Sequence, residues 1–173
     1  AIKEALRILD SKLYQQSYDA FRKYFEEFKY ESDFYGDEHC WAMCCNNLSI
    51  VYTALGNYEL AVEMAREGLN HSEFSELQHS LVDSLLKNKD YEGAQLALEN
   101  YFSLYDEQTV SFYKHLQHRA DWVSVNHKLG NSEDIVQEAQ SLLFEIYEHY
   151  QDNPDISDYD FRDFEAAKNT VEE

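Results

Sequence analysis

The chain has 173 residues, with 34 aspartates and glutamates against 14 lysines and arginines, and its formal net charge is −20 at pH 7. This charge disfavours binding to nucleic acid or to an anionic membrane surface, because both require clustered positive charge. Only 5 glycines and 1 proline are present, too few for the turns of a β-rich fold, while 44% of the residues are hydrophobic. We therefore predict an all-α chain that forms one domain over residues 1–173.

No stretch reaches the roughly 18 apolar residues of a membrane span, and charged residues interrupt the N-terminal segment, which excludes a signal peptide there. The sequence starts at Ala1 rather than Met and enters a helical pattern at once, so we expect either an excised fragment of a longer protein or a processed product. The three cysteines, Cys40, Cys44 and Cys45, are clustered and odd in number, which offers no disulfide framework. A reducing compartment is favoured, and we predict a cytoplasmic location.

The first predicted helix pair covers about residues 2–35. Apolar residues recur at helical spacing, a turn is expected near residues 15–17, and aromatic residues then continue the pattern. The two stripes consist of Ala5, Ile8 and Leu9, and of Tyr18, Phe21 and Phe25.

The second pair, residues 39–73, has the clearest pattern. A first apolar stripe ends at Gly56 and Asn57, and a second begins at Tyr58. Glycine just after a helix takes the left-handed conformation without strain, so Gly56 is expected to end the first helix. The stripes are Leu48, Tyr52 and Leu55, and then Tyr58, Ala61 and Ala65.

Two further copies follow, over residues 75–107 and 108–151. In the third copy Tyr91 follows Tyr58 by 33 residues, and in the fourth Gly130 takes the place of Gly56. Small residues at Ala61, Ala94 and Ala139 would let paired helices approach closely. The stripes are Leu81, Leu85, Tyr91, Ala94 and Leu98 in the third copy, and Trp122, Ile135 and Ala139 in the fourth. After Pro154, residues 155–173 are predicted to form a capping helix with an acidic tail.

These copies resemble the tetratricopeptide repeat, whose pattern is W-x2-L-G-x2-Y, then A-x3-F and P, over 34 residues. The best match consists of Cys45, Leu48, Ser49, Tyr52, Gly56, Tyr58, Ala61 and Ala65, and the family's first aromatic residue, second-helix Phe and closing Pro are replaced. The resemblance implies a right-handed α-solenoid of antiparallel helix pairs, a TPR-like superhelix, with the capping helix at its end. It also implies a non-catalytic module that binds a peptide or protein in its concave groove.

Candidate catalytic and metal sites are weak. Cys40 and Cys44, beside His39 and Cys45, could present two thiolates to a zinc ion. Zinc sites normally take paired ligands from two places in the sequence, so the favoured alternative is that these cysteines are small residues buried where helices pack. His115 with His118, and His79 with Asp83, have helical spacings that arise by chance. No phosphate loop, G-x-S-x-G or H-E-x-x-H is present. We expect no catalytic residues, no metal, no cofactor and no enzymatic activity.

Alignment to the repeat pattern places one set of first-helix residues in the groove. The amides of Asn46 and Asn47 could bind a peptide backbone or, as an equal alternative, brace neighbouring helices. A groove that binds the terminal carboxylate of a partner needs positive charge, but this sequence has acidic residues at the corresponding positions. A basic or neutral partner is therefore favoured. The predicted groove residues are Asn46, Asn47, Ile50, Thr53, His79, Asp83, Lys87 and His127.

A second hypothesis makes the chain the sensory or regulatory TPR domain of a larger signalling or transcription-regulating protein. Its partner would then be another domain of the same polypeptide. Neither hypothesis requires nucleic acid or a membrane as a direct partner.

Overall fold

The computed structural model describes residues 13–28, 38–106 and 108–152. Within these ranges all regular structure is helical and no strand occurs, which confirms the predicted all-α class. The predictions for residues 2–12 and for a capping helix at 155–173 lie outside the described residues. The helices are α1 (Tyr14–Phe28), α2 (Glu38–Ala54), α3 (Tyr58–His71), α4 (Ser75–Lys87), α5 (Tyr91–Leu104), α6 (Phe112–Lys128) and α7 (Ser132–Asp152). None of these described helices combines the length and the apolar character that a bilayer crossing needs.

The turn predicted near residues 15–17 is wrong, because α1 already begins at Tyr14. This segment contains no glycine or proline that would interrupt a helix. The Gln15 side chain instead donates a hydrogen bond of 3.1 Å to Asp19, one helical turn further on.

Three helix ends repeat the same backbone arrangement, and two of them are the predicted glycine positions. Gly56 and Gly130 both have φ of 80°, and Lys89 takes the equivalent position with φ of 60°. At each end two N–H groups bond back to carbonyls of the last helical turn, a Schellman arrangement. The bonds are Gly56 N to Thr53 O and Asn57 N to Tyr52 O, Lys89 N to Leu86 O and Asp90 N to Leu85 O, and Gly130 N to His127 O and Asn131 N to Asn126 O.

Lys89 is the unusual member of this set, because a side chain in the left-handed region is strained. We expect Lys89→Gly to raise the free energy of unfolding by about 0.5–1 kcal/mol, since the glycine removes this strain and its larger unfolded-state entropy offsets only part of the gain. Asn88→Gly is the control, because Asn88 has right-handed φ of −76° and should lose stability. Urea unfolding measures the free energy of unfolding of both variants. If Lys89→Gly lost as much stability as Asn88→Gly, the strained left-handed conformation assigned to Lys89 would be contradicted.

The chain divides into two compact units, residues 1–90 and 91–173. In the first unit α2 packs against α1, α3 and α4, and α3 also packs against α4. One hydrophobic cluster joins α1, α2 and α3, with Tyr18, Ala20 and Trp41 packed at its edge. The buried members are Phe21, Phe25, Cys45, Leu48, Val51, Tyr52, Ala61 and Met64.

Gly68 allows the closest approach in the first unit. A methyl group added there would lie 2.7 Å from Leu77 Cδ2 on α4 and 3.0 Å from Cys45 Cβ on α2. Both distances are shorter than van der Waals contact, so with a larger residue the Leu77 side chain or the helices around Gly68 must shift. Ala61 and Ala65, the small residues expected on this helix, are fully buried on its inner side.

In the second unit α6 packs against α5 and α7. Leu116, Ala120, Leu142 and Ile146 form one buried cluster between α6 and α7, and Val123, Ile135 and Ala139 form another. Arg119 of α6 also joins these two helices. Its Nε donates to Glu138 Oε1 at 2.9 Å, and its Nη1 donates to Glu145 Oε2 at 2.5 Å.

Candidate functional site

A layer of hydroxyl groups joins α2 to α4 in the first unit. Ser84 Oγ donates to the Ser80 carbonyl at 2.6 Å, so its oxygen is left to accept from its two other neighbours. These neighbours are Thr53 Oγ1 at 3.0 Å and Ser49 Oγ at 3.3 Å. Every hydroxyl of this buried group therefore has a partner, which fixes the register of the two helices.

The structure places Asn47 and Thr53 in the interior, where 5% and 8% of their surface is exposed. Thr53 is held by the hydroxyl layer, and little of the Asn47 side chain is exposed to a ligand. The sequence did not predict this burial, because the exposure of a helical residue depends on the neighbouring elements, which helical spacing alone does not specify.

Asn46 is half-buried and has both a bracing contact and an available donor group. Its Oδ1 accepts a hydrogen bond of 2.7 Å from Ser80 Oγ on α4. This bond orients the amide, and Nδ2 makes no further hydrogen bond within the part of the chain that the structure describes. An oriented amide can donate to a carbonyl oxygen of a bound peptide.

Four predicted groove residues lie near the hydroxyl layer with Asn46. Ile50 is one helical turn after Asn46, and 38% of its surface is exposed. Asp83 and Lys87, on α4, form an exposed ion pair of 2.9 Å, and His79 is half-buried one turn before Asp83. We name this surface the α2–α4 face, and it consists of Asn46, Ile50, His79, Asp83 and Lys87.

His127 belongs to the second unit and lies half-buried in the last turn of α6. A polar group that the sequence analysis did not single out lies one residue away. Asn126 is buried, and its Oδ1 accepts from Gln95 Nε2 of α5 at 2.8 Å and from Asn131 Nδ2 at 3.0 Å. Asn126 therefore braces α5 and α6.

The second unit also buries a histidine. The ring of His118 packs edge-on against Tyr101, with 3.9 Å between the ring centroids, and only 1% of its surface is exposed. Burial, aided by His115 and Lys114, lowers the pKa of His118 to about 4. The Asp121 carboxylate lies 3.6 Å from Nδ1 and does not outweigh these effects. The imidazole is therefore neutral at pH 7.

The buried His118 predicts that acidification destabilises the second unit. The unfolded imidazole binds a proton near pH 6.5, whereas the folded one resists protonation until about pH 4. The unfolded state therefore binds more protons in this window, so stability is lost as the pH falls, by about 3 kcal/mol in total.

His118→Phe removes this titration and keeps an aromatic ring against Tyr101. Urea unfolding of the Trp41→Phe chain, followed by Trp122 fluorescence at several pH values, should show a flatter pH dependence for the variant. Parallel loss of stability in both proteins between pH 6.5 and pH 4 would contradict the prediction.

Two residues of the cysteine cluster, Cys44 and Cys45, have side chains that the structure describes. Cys44 and Cys45 are buried free thiols. Burial, with smaller contributions from Glu67 and Cys44, raises the pKa of Cys45 to about 12, so its thiolate is scarcely populated at neutral pH. Among the described residues, no three His, Cys, Asp or Glu side chains are grouped as metal ligands would be.

A cleft that the sequence analysis did not predict lies where α1, α2 and α3 meet. Its volume is about 460 Å³, and it is lined by Arg22 and Phe25 of α1, by Trp41 of α2 and by a row of α3 side chains. We name it the α1–α3 cleft. The α3 side chains are Glu63, Met64, Glu67 and His71.

The cleft has an aromatic wall and acidic edges. Trp41 packs on Phe25 with 4.6 Å between ring centroids, and its ring lies 5.8 Å from that of His71. His71 Nε2 is 3.3 Å from Glu67 Oε1. The i,i+4 spacing of Glu63 and Glu67 was visible in the sequence, but only the packing of three helices brings these carboxylates beside Trp41.

No protein-family model matches the chain, and no curated protein or solved structure matches it either. The resemblance to tetratricopeptide repeats therefore stays a prediction that rests on the residues and contacts of this chain.

Proposed function

We propose that the protein is a non-catalytic interaction module of the tetratricopeptide type, built as a right-handed solenoid of helix pairs, and that it binds an extended peptide along the α2–α4 face. The oriented amide of Asn46 is the observation that carries this proposal. Its Oδ1 is held by Ser80, and its donor group is left for a peptide carbonyl.

Repeated contacts support the solenoid. Stacked repeats bring a helix against the one that follows two elements later, and α2 packs against α4 as well as against α3. The side-chain bonds between α2 and α4 join residues 31 to 35 positions apart, close to the repeat length. The matching helix ends at Gly56, Lys89 and Gly130 add a second repeated feature.

The composition of the α2–α4 face supports a peptide ligand. Ile50 offers an exposed apolar contact beside the Asn46 amide. Asp83 and Lys87 neutralise each other, so the face itself has no strong charge. Long-range attraction then comes from the net charge of −20, which favours a basic or neutral peptide over an acidic one.

The proposal includes no nucleic acid and no membrane as direct partners. Two free, buried thiols support a reducing compartment such as the cytoplasm. The regulatory alternative stays a prediction, because no contact of the described residues favours it.

A random peptide library displayed on phage tests the proposal, with Ile50→Arg as the decisive variant. We expect selection of related peptides of neutral or positive charge, and we expect Ile50→Arg to weaken their binding at least about tenfold because it removes an apolar contact and adds a repelling charge. Isothermal titration of synthetic copies of the selected peptides measures the dissociation constants.

Leu60→Arg is the matched control, since Leu60 is an exposed leucine of α3 with similar exposure, 43% against 38% for Ile50. It introduces the same charge outside the α2–α4 face, and it should leave binding unchanged. Equal affinities for the wild-type and Ile50→Arg proteins, or the absence of any selected peptide family, would refute the proposal.

A further inference from the structure

The α1–α3 cleft is distinct from the α2–α4 face. Trp41 and Ile50 are nine residues apart on α2, which places them about 180° apart around the helix axis. Trp41 faces α1 and α3, whereas Ile50 lies beside the contact with α4. A ligand in the cleft would therefore leave the α2–α4 face accessible.

The charges around the cleft leave a deficit of positive charge. Arg22, the one arginine in its lining, is paired with Glu26 at 2.6 Å. Glu67 interacts with His71 through Oε1 and makes no other hydrogen bond among the described residues. Glu63, one helical turn earlier, is exposed and forms no ion pair within the same residues. Two carboxylates thus remain without a full positive partner.

The cleft wall already shows how a guanidinium is accommodated. Arg22 Cζ lies 5.3 Å from the centroid of the Phe25 ring while its Nη2 pairs with Glu26. This combination of aromatic face and carboxylate is favourable for a planar cation. Trp41, which packs on Phe25, and Met64 line the same cleft as the carboxylates of Glu63 and Glu67, so the cleft offers this combination to a further cation.

We infer that the α1–α3 cleft binds an arginine side chain of a partner polypeptide. The guanidinium pairs with Glu67 and Glu63, and the aliphatic stem packs along Trp41 and Met64. The volume of about 460 Å³ lies within the usual range for ligand pockets, about 300–1,000 Å³. This site adds a second contact to the partner chemistry proposed above and does not depend on the α2–α4 face.

Titration with N-acetyl-arginine methylamide tests the inference. The indole N–H signals of Trp41 and Trp122 in two-dimensional ¹H–¹⁵N NMR serve as reporter and internal reference, since Trp122 belongs to the other unit. With the arginine compound we expect a saturable shift of the Trp41 signal and an unchanged Trp122 signal. With the uncharged N-acetyl-citrulline methylamide we expect no saturable shift of either signal. Glu67→Gln should weaken binding by about fivefold, as the loss of one partly exposed ion pair predicts.

Glu27→Gln is the matched control, because it removes the same charge from an exposed position of α1 outside the cleft. It should leave the affinity unchanged. Equal weakening by Glu27→Gln and Glu67→Gln would show general attraction to an acidic protein and overturn the inference. Equal shifts with the citrulline compound, no shift at all, or tighter binding of spermidine than of the arginine compound at Trp41 would also overturn it.

Discussion

The close approach at Gly68 is the constraint on which the first unit depends. At this residue α3 meets Leu77 of α4 and Cys45 of α2 at distances that leave no room for a side chain. Because one helix lies this close to two others, α2 and α4 are both fixed relative to α3. Ala61 and Ala65 continue the same narrow inner side of α3 toward its N-terminus.

The polar contacts between α2 and α4 follow from this packing. Ser49 lies one helical turn after Cys45, and Ser80 and Ser84 follow Leu77 on α4. The approach at Gly68 therefore brings the Ser49 and Ser84 hydroxyl groups together and places the Ser80 hydroxyl beside Asn46. The resulting layer is fully bonded and orients Asn46 at its edge. On the opposite side of α2, the packing of α1 and α3 around Trp41 leaves the acidic cleft. One arrangement of helices thus creates both proposed contact surfaces.

Short-range features of this fold were predictable from the sequence, and tertiary ones were not. Gly56 and Gly130 end helices as expected, because a left-handed helix end is a local property of the backbone. Gly68 shows no such local signal, since its role depends on Leu77 and Cys45. Helical spacing assigned Asn47 and Thr53 to a groove, but neighbouring elements bury them. The cleft combines residues of three helices, so no single sequence motif indicates it.

A double-mutant cycle at Gly68 and Leu77 tests the central constraint most directly. We expect Gly68→Ala alone to lower the free energy of unfolding by about 1–2 kcal/mol, because overpacking outweighs the higher helix propensity of alanine. In the Leu77→Ala background the added methyl group has space, so the same substitution should cost nothing or should stabilise the protein. Additive effects of the two substitutions in urea unfolding would contradict the account, because α3 would then not be held against its neighbours at Gly68.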